Sequence, residues 1–143
     1  MRSLLLLLLV TGGLSSVGRA QAAADSAAIR ETALNYVEGW YTGNADRMNR
    51  ALHPELVKRI VRTDSTGHGS IQQMGATALV AGTRSGFGTR TPAERQRKDV
   101  KILDVFGNTA SVRADMADWI DYMHMAKVDG RWVIVNVLWE MRK

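Results

Sequence analysis

Cysteine is absent from this chain of 143 residues, and proline and histidine are scarce. Without cysteine the chain has no thiol nucleophile, and no lipid-modified cysteine can anchor its N-terminus. The three histidines, His53, His68 and His124, are too far apart to form an H-x-H or HExxH motif. We therefore expect neither a bound metal nor a cofactor.

Two families of catalytic motif are also missing. No serine lies in a G-x-S-x-G elbow, which disfavours a hydrolase triad. The glycines of residues 67–69 lack the third glycine of a dinucleotide-binding loop, and those of residues 82–88 follow a predicted helix instead of opening one. The sequence therefore carries no recognisable nucleotide site.

The one long apolar run is at the N-terminus and is too short to span a bilayer. Arg2 precedes the apolar residues 4–10, and small residues then lead to Ala20-Gln21-Ala22. This order is typical of a signal peptide, whereas a membrane anchor needs about 18 to 20 apolar residues. We predict that residues 1–22 are cleaved, with Ala20 or Ala24 as alternative sites, leaving one periplasmic or secreted domain over residues 23–143.

Basic residues outnumber acidic ones, and the formal net charge of the whole chain is +5. Many of the basic residues lie in one glycine-containing stretch that reads as a loop entering a strand: Arg84, Arg90, Arg95, Arg97, Lys98 and Lys101. Such runs are usually solvated surface. We expect no nucleic-acid partner for an exported protein, and no stable membrane insertion after cleavage.

Helical periodicity dominates the first half of the mature chain. Asp25-Ser26 can cap a first helix that ends near Gly43, and Asn44 can cap a short second one that ends before Pro54. Residues 57–62 favour a strand. Ser70 and Gln73 have capping-box spacing, which predicts a third helix from there to a point before Gly86.

The C-terminal half reads as two β-hairpins. Residues 100–106 and 109–116 flank Gly107-Asn108, and residues 119–128 and 131–141 flank Asp129-Gly130, which suits a type I′ turn. An unbulged second hairpin pairs His124 with Val135 and Asp121 with Leu138. Large apolar residues then lie on both faces, so we expect helices on one face and a second subunit of a homodimer on the other.

Several stretches of the mature chain resemble the putative lumazine-binding family of the SnoaL-like, nuclear transport factor 2-like superfamily. They are residues 39–48 (GWYTGNADRM), 51–59 (ALHPELVKR), 118–122 (DWIDY) and 130–140 (GRWVIVNVLWE). The resemblance implies an α+β, cystatin-like fold, in which a cone-shaped curved antiparallel sheet packs on about three N-terminal helices. It also implies a conical pocket on the concave face and dimerisation through the outer face. Catalytic carboxylates of enzymatic relatives do not map onto the chain position by position.

Two residues are candidates for chemistry. His53, at a helix end, can act as a general base or ligand contact, or can simply close the turn. Asp121, between Trp119 and Met123, suits proton transfer or the binding of a ring N–H, or can pair with an arginine such as Arg59 or Arg62.

An aromatic and apolar set can line a pocket for a flat apolar or heteroaromatic ligand or can simply fill the core. With His53 and Asp121, the candidate binding residues are Tyr36, Trp40, Met74, Trp119 and Met123. We interpret the chain as an exported, dimeric, non-catalytic binding module. The alternative is an isomerase, dehydratase or cyclase using Asp121 or His53, and a third reading is an assembly domain with a filled cone.

Overall fold

The structure, a computed structural model, describes residues 13–142, with side chains from residue 18 onward. Within these residues the elements in chain order are α1 (Gly13–Thr42), α2 (Ala45–Ala51), β1 (Leu52–Thr63), β2 (Gly69–Gly75), α3 (Ala76–Arg84), β3 (Asp99–Phe106), β4 (Thr109–Asp115), β5 (Trp119–Val128) and β6 (Arg131–Met141). Short 3-10 turns at Gly88–Arg90 and Ala93–Arg95 connect α3 to β3. No helix in this part of the chain is long and apolar enough to cross a membrane.

The strands form one sheet in the order β2-β1-β6-β5-β4-β3. The α+β architecture predicted from the sequence is confirmed, with two differences. The sheet is mixed, because β1 and β6 run parallel while the other neighbours are antiparallel. In addition, two strands precede α3, where the sequence predicted only the one over residues 57–62.

The hydrophobic core lies between the helices and one face of the sheet. Residues at three- and four-residue spacing on α1 are buried there, including Ile29, Ala33 and Val37. They pack against the inward residues of β4, β5 and β6: Val112, Ala114, Met123, Met125, Ile134 and Val137. Register shifts interrupt three of the strand pairs, and irregularities of this kind bend a sheet around its core.

The bulge between β5 and β6 changes the predicted register. The pairs Val128–Arg131 and Ala126–Val133 form as predicted, but beyond Met125 the register moves by one residue. His124 therefore faces Asn136 instead of Val135, and Asp121 faces Trp139 instead of Leu138. Since side chains alternate across a strand, this shift turns Val137 and Trp139 toward the helices.

The predicted helix start at Ser70 is wrong, because residues 69–75 form an edge strand. Ser70 pairs with Arg62 and Gln73 with Arg59. Strand β1 would otherwise expose an unpaired edge, and its pairing outweighs the local capping signal. The side chain of Ile71 is 65% exposed on this edge strand, and α3 begins only after Gly75.

Asp25 does not cap a helix, since α1 already begins at Gly13. Its Oδ1 accepts hydrogen bonds from Lys127 Nζ at 2.8 Å and Trp132 Nε1 at 2.9 Å. These bonds fasten α1 to the second hairpin, and they hold the pKa of Asp25 at about 2, with the Lys127 bond as the largest cause. Asn44 caps α2 as predicted, accepting from the backbone N–H of Arg47 at 2.9 Å.

Candidate functional site

A cavity of about 340 Å³ opens between α1, α3 and the concave face of the sheet. Most of its wall is apolar or aromatic. Its lining consists of Tyr36, Trp40, Lys58, Arg62, Met74, Ala78, Leu79, Gly82, Phe87, Asp118, Trp119, Trp139 and Met141. The cone is therefore hollow, and one end of it can admit a small molecule.

Three tryptophans from different elements form one wall of the cavity. Trp40 of α1 and Trp119 of β5 meet edge to face, with ring centroids 6.0 Å apart and an interplanar angle of 86°. Trp119 and Trp139 of β6 follow at 5.7 Å and 63°. Edge-to-face contacts of this kind fix the ring orientations, so the wall has a defined shape.

A buried polar triad lies at the base of the cavity. Lys58 points inward because it lies at two-residue spacing from Leu56 and Ile60 and therefore on the same buried face of β1. Its Nζ donates to Asp121 Oδ1 at 2.7 Å and to the Tyr36 hydroxyl. The lysine is 5% exposed and the aspartate 0%, so the ion pair is almost completely removed from water.

The second carboxylate oxygen of Asp121 is also fully engaged. Oδ2 accepts from the Tyr36 hydroxyl at 3.2 Å and from Trp119 Nε1 at 2.9 Å. Among the described residues, no buried side-chain nitrogen or oxygen lacks a hydrogen-bond partner. The triad therefore positions Trp119, and with it the tryptophan wall.

Burial shifts the pKa values of Tyr36 and Lys58, the two titratable groups bonded to Asp121. It raises the pKa of the Tyr36 hydroxyl well above its usual range, and the negative charge of Asp121 adds to this effect. It lowers the pKa of Lys58, while the carboxylate of Asp121 opposes that shift. At neutral pH Tyr36 is therefore a hydrogen-bond donor, not a base.

The structure brings most of the predicted ligand-binding residues together. Tyr36, Trp40, Met74 and Trp119 line the cavity. Asp121 lies beneath its base, paired with Lys58 instead of Arg59 or Arg62. Met123 is buried in the core, opposite Val137.

His53 lies apart from this cavity. Its Nδ1 accepts a hydrogen bond from the backbone N–H of Glu55 at 3.2 Å, so it closes the turn at the start of β1. It borders a separate surface depression of about 410 Å³ beside Arg84 and Arg131. Within the described residues, no cluster of three or more acidic or histidine side chains could hold a metal ion.

Sequence reasoning missed Lys58 and Trp139. The signal for Lys58 was its position two residues from both Leu56 and Ile60 in a strand, which places it on their face. An unbulged register places Trp139 on the face opposite Asp121, whereas the bulge pairs the two residues on one face. Phe87, at the wall of the cavity, had no sequence signal that set it apart from other surface residues, and the sequence indicated Arg62 only as a possible partner of Asp121.

Solved structures with the same fold come from several bacteria. An NTF2-like protein of unknown function from Shewanella baltica is 20% identical, with a TM-score of 0.66 over 85% of this chain and 96% of that one. An NTF2-like protein with a cystatin-like fold from Novosphingobium aromaticivorans is 15% identical, with a TM-score of 0.67 over 92% and 91%. At these identities the likeness shows the fold alone.

Sequence comparison identifies a family within this fold. Residues 24–140 match the protein-family model described as "Putative lumazine-binding". No curated protein matches the chain. The match spans all six strands and every residue named at the cavity, except Met141.

Proposed function

The chain belongs to the putative lumazine-binding family, and we propose that its mature domain is an exported, non-catalytic module that binds a flat, partly apolar small molecule. The observation that carries this proposal is the hollow, aromatic-walled cone. Its volume of about 340 Å³ falls within the ~300–1,000 Å³ typical of small-molecule sites. A domain used only for assembly would have no need of such a cavity.

The binding surface suits a bicyclic aromatic or heteroaromatic ring. Trp40, Trp119 and Trp139 offer edges and faces for ring packing, while Met74 and Leu79 supply adaptable apolar contacts. The family description names lumazine, which is a heteroaromatic bicycle of this kind. We therefore take lumazine as the first ligand to test and flavin as the second.

The positions of the two expected proton carriers favour binding over catalysis. Asp121 is covered by Lys58, Tyr36 and Trp119, and both its oxygens are occupied. His53 lies outside the cavity. Neither group can reach a ligand in the cone without a rearrangement of its hydrogen bonds.

A proton-transfer enzyme is the second candidate, and one observation favours it. Tyr36 and Lys58 line the cavity and both donate hydrogen bonds to the buried carboxylate of Asp121, and two such donors could polarise a substrate carbonyl. An isomerase, dehydratase or cyclase would then use this triad instead of His53. Turnover of an enolisable cyclic ketone, lost on Tyr36→Phe substitution, would favour this reading.

Export is supported by the exposure of the first described side chains. Residues 18–24 are exposed, whereas Asp25 makes the first bonds to the sheet. The family match begins at residue 24. Cleavage after Ala22, within α1, would therefore remove no buried side chain among those described.

Homodimerisation through the outer sheet face is part of the same proposal. Phe106 is 82% exposed, and Tyr122 and Leu138 are nearly half exposed on adjacent antiparallel strands of that face. The bulge leaves Asn136 outward and turns Val137 inward, so the face is less apolar than the unbulged register predicts. A mixed surface of this kind suits a subunit interface with an apolar centre and polar rim.

Two substitutions on the same helix test whether the cone holds the ligand. Ala78 and Ala81 are both exposed on α3, but only Ala78 lines the cavity, while Ala81 borders the depression at His53. We expect Ala78→Phe to weaken lumazine binding at least tenfold by filling the cavity mouth. The matched Ala81→Phe variant should bind within about twofold of wild type, and quenching of tryptophan fluorescence measures both.

The opposite pattern would overturn the proposal. If Ala81→Phe abolished binding and Ala78→Phe did not, the site would be the depression at His53. If neither lumazine nor flavin bound at millimolar concentration, the literal reading of the family description would be excluded for this chain, and other flat bicyclic molecules would be tested with the same two variants.

A further inference from the structure

We propose that Lys58 is the polar anchor of the cavity and selects ligands that carry a carbonyl oxygen on a flat ring. This inference rests on the proposed binding function and specifies the chemistry of its ligand. An ammonium group has three N–H donors. In the described part of the chain, Lys58 uses two of them, on Tyr36 and Asp121.

The third donor of Lys58 is left among aromatic surfaces at the cavity wall. Its Nζ lies 4.7 Å from the centroid of the Trp139 ring and 5.1 Å from that of Tyr36. These faces attract the cation but accept no conventional hydrogen bond from it. An acceptor atom on a ligand that enters the cone would complete the coordination of the ammonium.

The charge arrangement favours a neutral acceptor over an anion. Asp121 lies directly behind Lys58 and neutralises it, so the cavity faces the positive end of a buried ion pair. A carbonyl oxygen carries a partial negative charge that suits this dipole and loses little hydration on entering, whereas a carboxylate would lose its hydration and leave the buried site with a net negative charge. Arg62, four residues along β1 from Lys58, is an exposed cation that donates a hydrogen bond to Gln72, so an anion can pair with it without giving up its hydration.

The test compares two flat bicyclic probes that differ in the acceptor. Coumarin has a ring carbonyl, and naphthalene has none. Because Lys58→Met alone would leave Asp121 charged and buried, the informative variant is the double substitution Lys58→Met with Asp121→Asn. Calorimetric or fluorescence titration of each probe, after circular dichroism has established that the variant is folded, gives the four affinities.

We expect coumarin to bind the double variant about tenfold more weakly than wild type, which is the contribution of a hydrogen bond from a charged donor. Naphthalene should change by less than about twofold. An Arg62→Met variant should leave the preference for coumarin unchanged.

Three results would overturn the inference. Equal losses for both probes would mean that Lys58 only supports the cavity shape, and loss of coumarin binding in the Arg62→Met variant would move the anchor to the mouth. Either result leaves the proposed binding function standing. Failure of both probes to bind a wild-type protein that binds lumazine or flavin would overturn the anchor alone, whereas failure of all four molecules would contradict the binding function itself, and the anchor with it.

Discussion

Lys58 and Asp121 form a buried ion pair beneath the cavity, and its hydrogen bonds orient residues of the cavity wall. Their ion pair is withdrawn from water and completed by Tyr36 and Trp119. Burying two charges costs several kcal/mol, which their mutual attraction offsets. Removing one partner leaves the other charge buried without that compensation. The Asp121 side chain therefore orients Trp119 through one oxygen, while the ion pair with Lys58 adds little to overall stability.

A double-mutant cycle tests this account of the pair. We expect Asp121→Asn to lower the free energy of unfolding by about 3 kcal/mol, because it leaves the Lys58 ammonium buried and uncompensated. The double substitution with Lys58→Met should recover at least half of that loss. Urea denaturation of the wild type, both single variants and the double variant measures the coupling, and strictly additive losses would contradict it.

At the scale of elements, local patterns predicted the strands well where turn chemistry was clear. Asp129 and Gly130 both have positive φ, as the predicted type I′ turn requires, and the hairpins at Gly107 and Gly130 form at the expected residues. The bulge after His124 could not be predicted in this way. Its residues are ordinary strand formers, and only packing of Val137 and Trp139 against the helices selects the shifted register.

The helix predicted to start at Ser70 was wrong because the local sequence signal there was misleading. The capping signal at Ser70 is local, whereas the pairing of β2 with β1 is a tertiary contact that no single segment reveals. Lys58 was missed because a lone lysine in a strand normally faces solvent. The aromatic wall could thus be predicted at Tyr36, Trp40 and Trp119 but not at Trp139, and the buried pair of Lys58 with Asp121 could not be predicted.

The contact between α1 and the 3-10 turn at Gly88 gives a prediction at this scale. A Cβ on Gly88 would lie 2.2 Å from the backbone oxygen of Trp40 and 2.6 Å from its Cδ1. We expect Gly88→Ala to destabilise the fold by about 3 kcal/mol and to displace Trp40 from the cavity wall. Thermal and urea unfolding measure the loss.

Gly69→Ala is the matched control, because no atom lies within 4 Å of the Cβ it would add. Its unfolding free energy should stay within about 0.5 kcal/mol of wild type. If Gly88→Ala were equally neutral, the close approach of the turn to Trp40 would not contribute to stability.

At the scale of the whole molecule, the layout of helices and four C-terminal strands indicated the fold class, and the resemblance of residues 39–48, 51–59, 118–122 and 130–140 indicated the family. Whether the cone is hollow depends on how far the sheet bends and on which tryptophans turn inward. Both depend on bulges, so neither follows from the hydrophobic pattern. The proposed binding function therefore rests on the cavity that the structure contains. Export and dimerisation are separate proposals for the same mature domain.

Native mass spectrometry of the purified mature protein tests the central claim most directly, because it reports bound small molecules and subunit number together. We predict a dimer that begins at residue 23 and releases a small, flat molecule from the wild type and Ala81→Phe proteins, but not from Ala78→Phe. A wild-type protein that carries no small molecule, and that takes up none of lumazine, flavin, coumarin or naphthalene when they are added, would contradict the account.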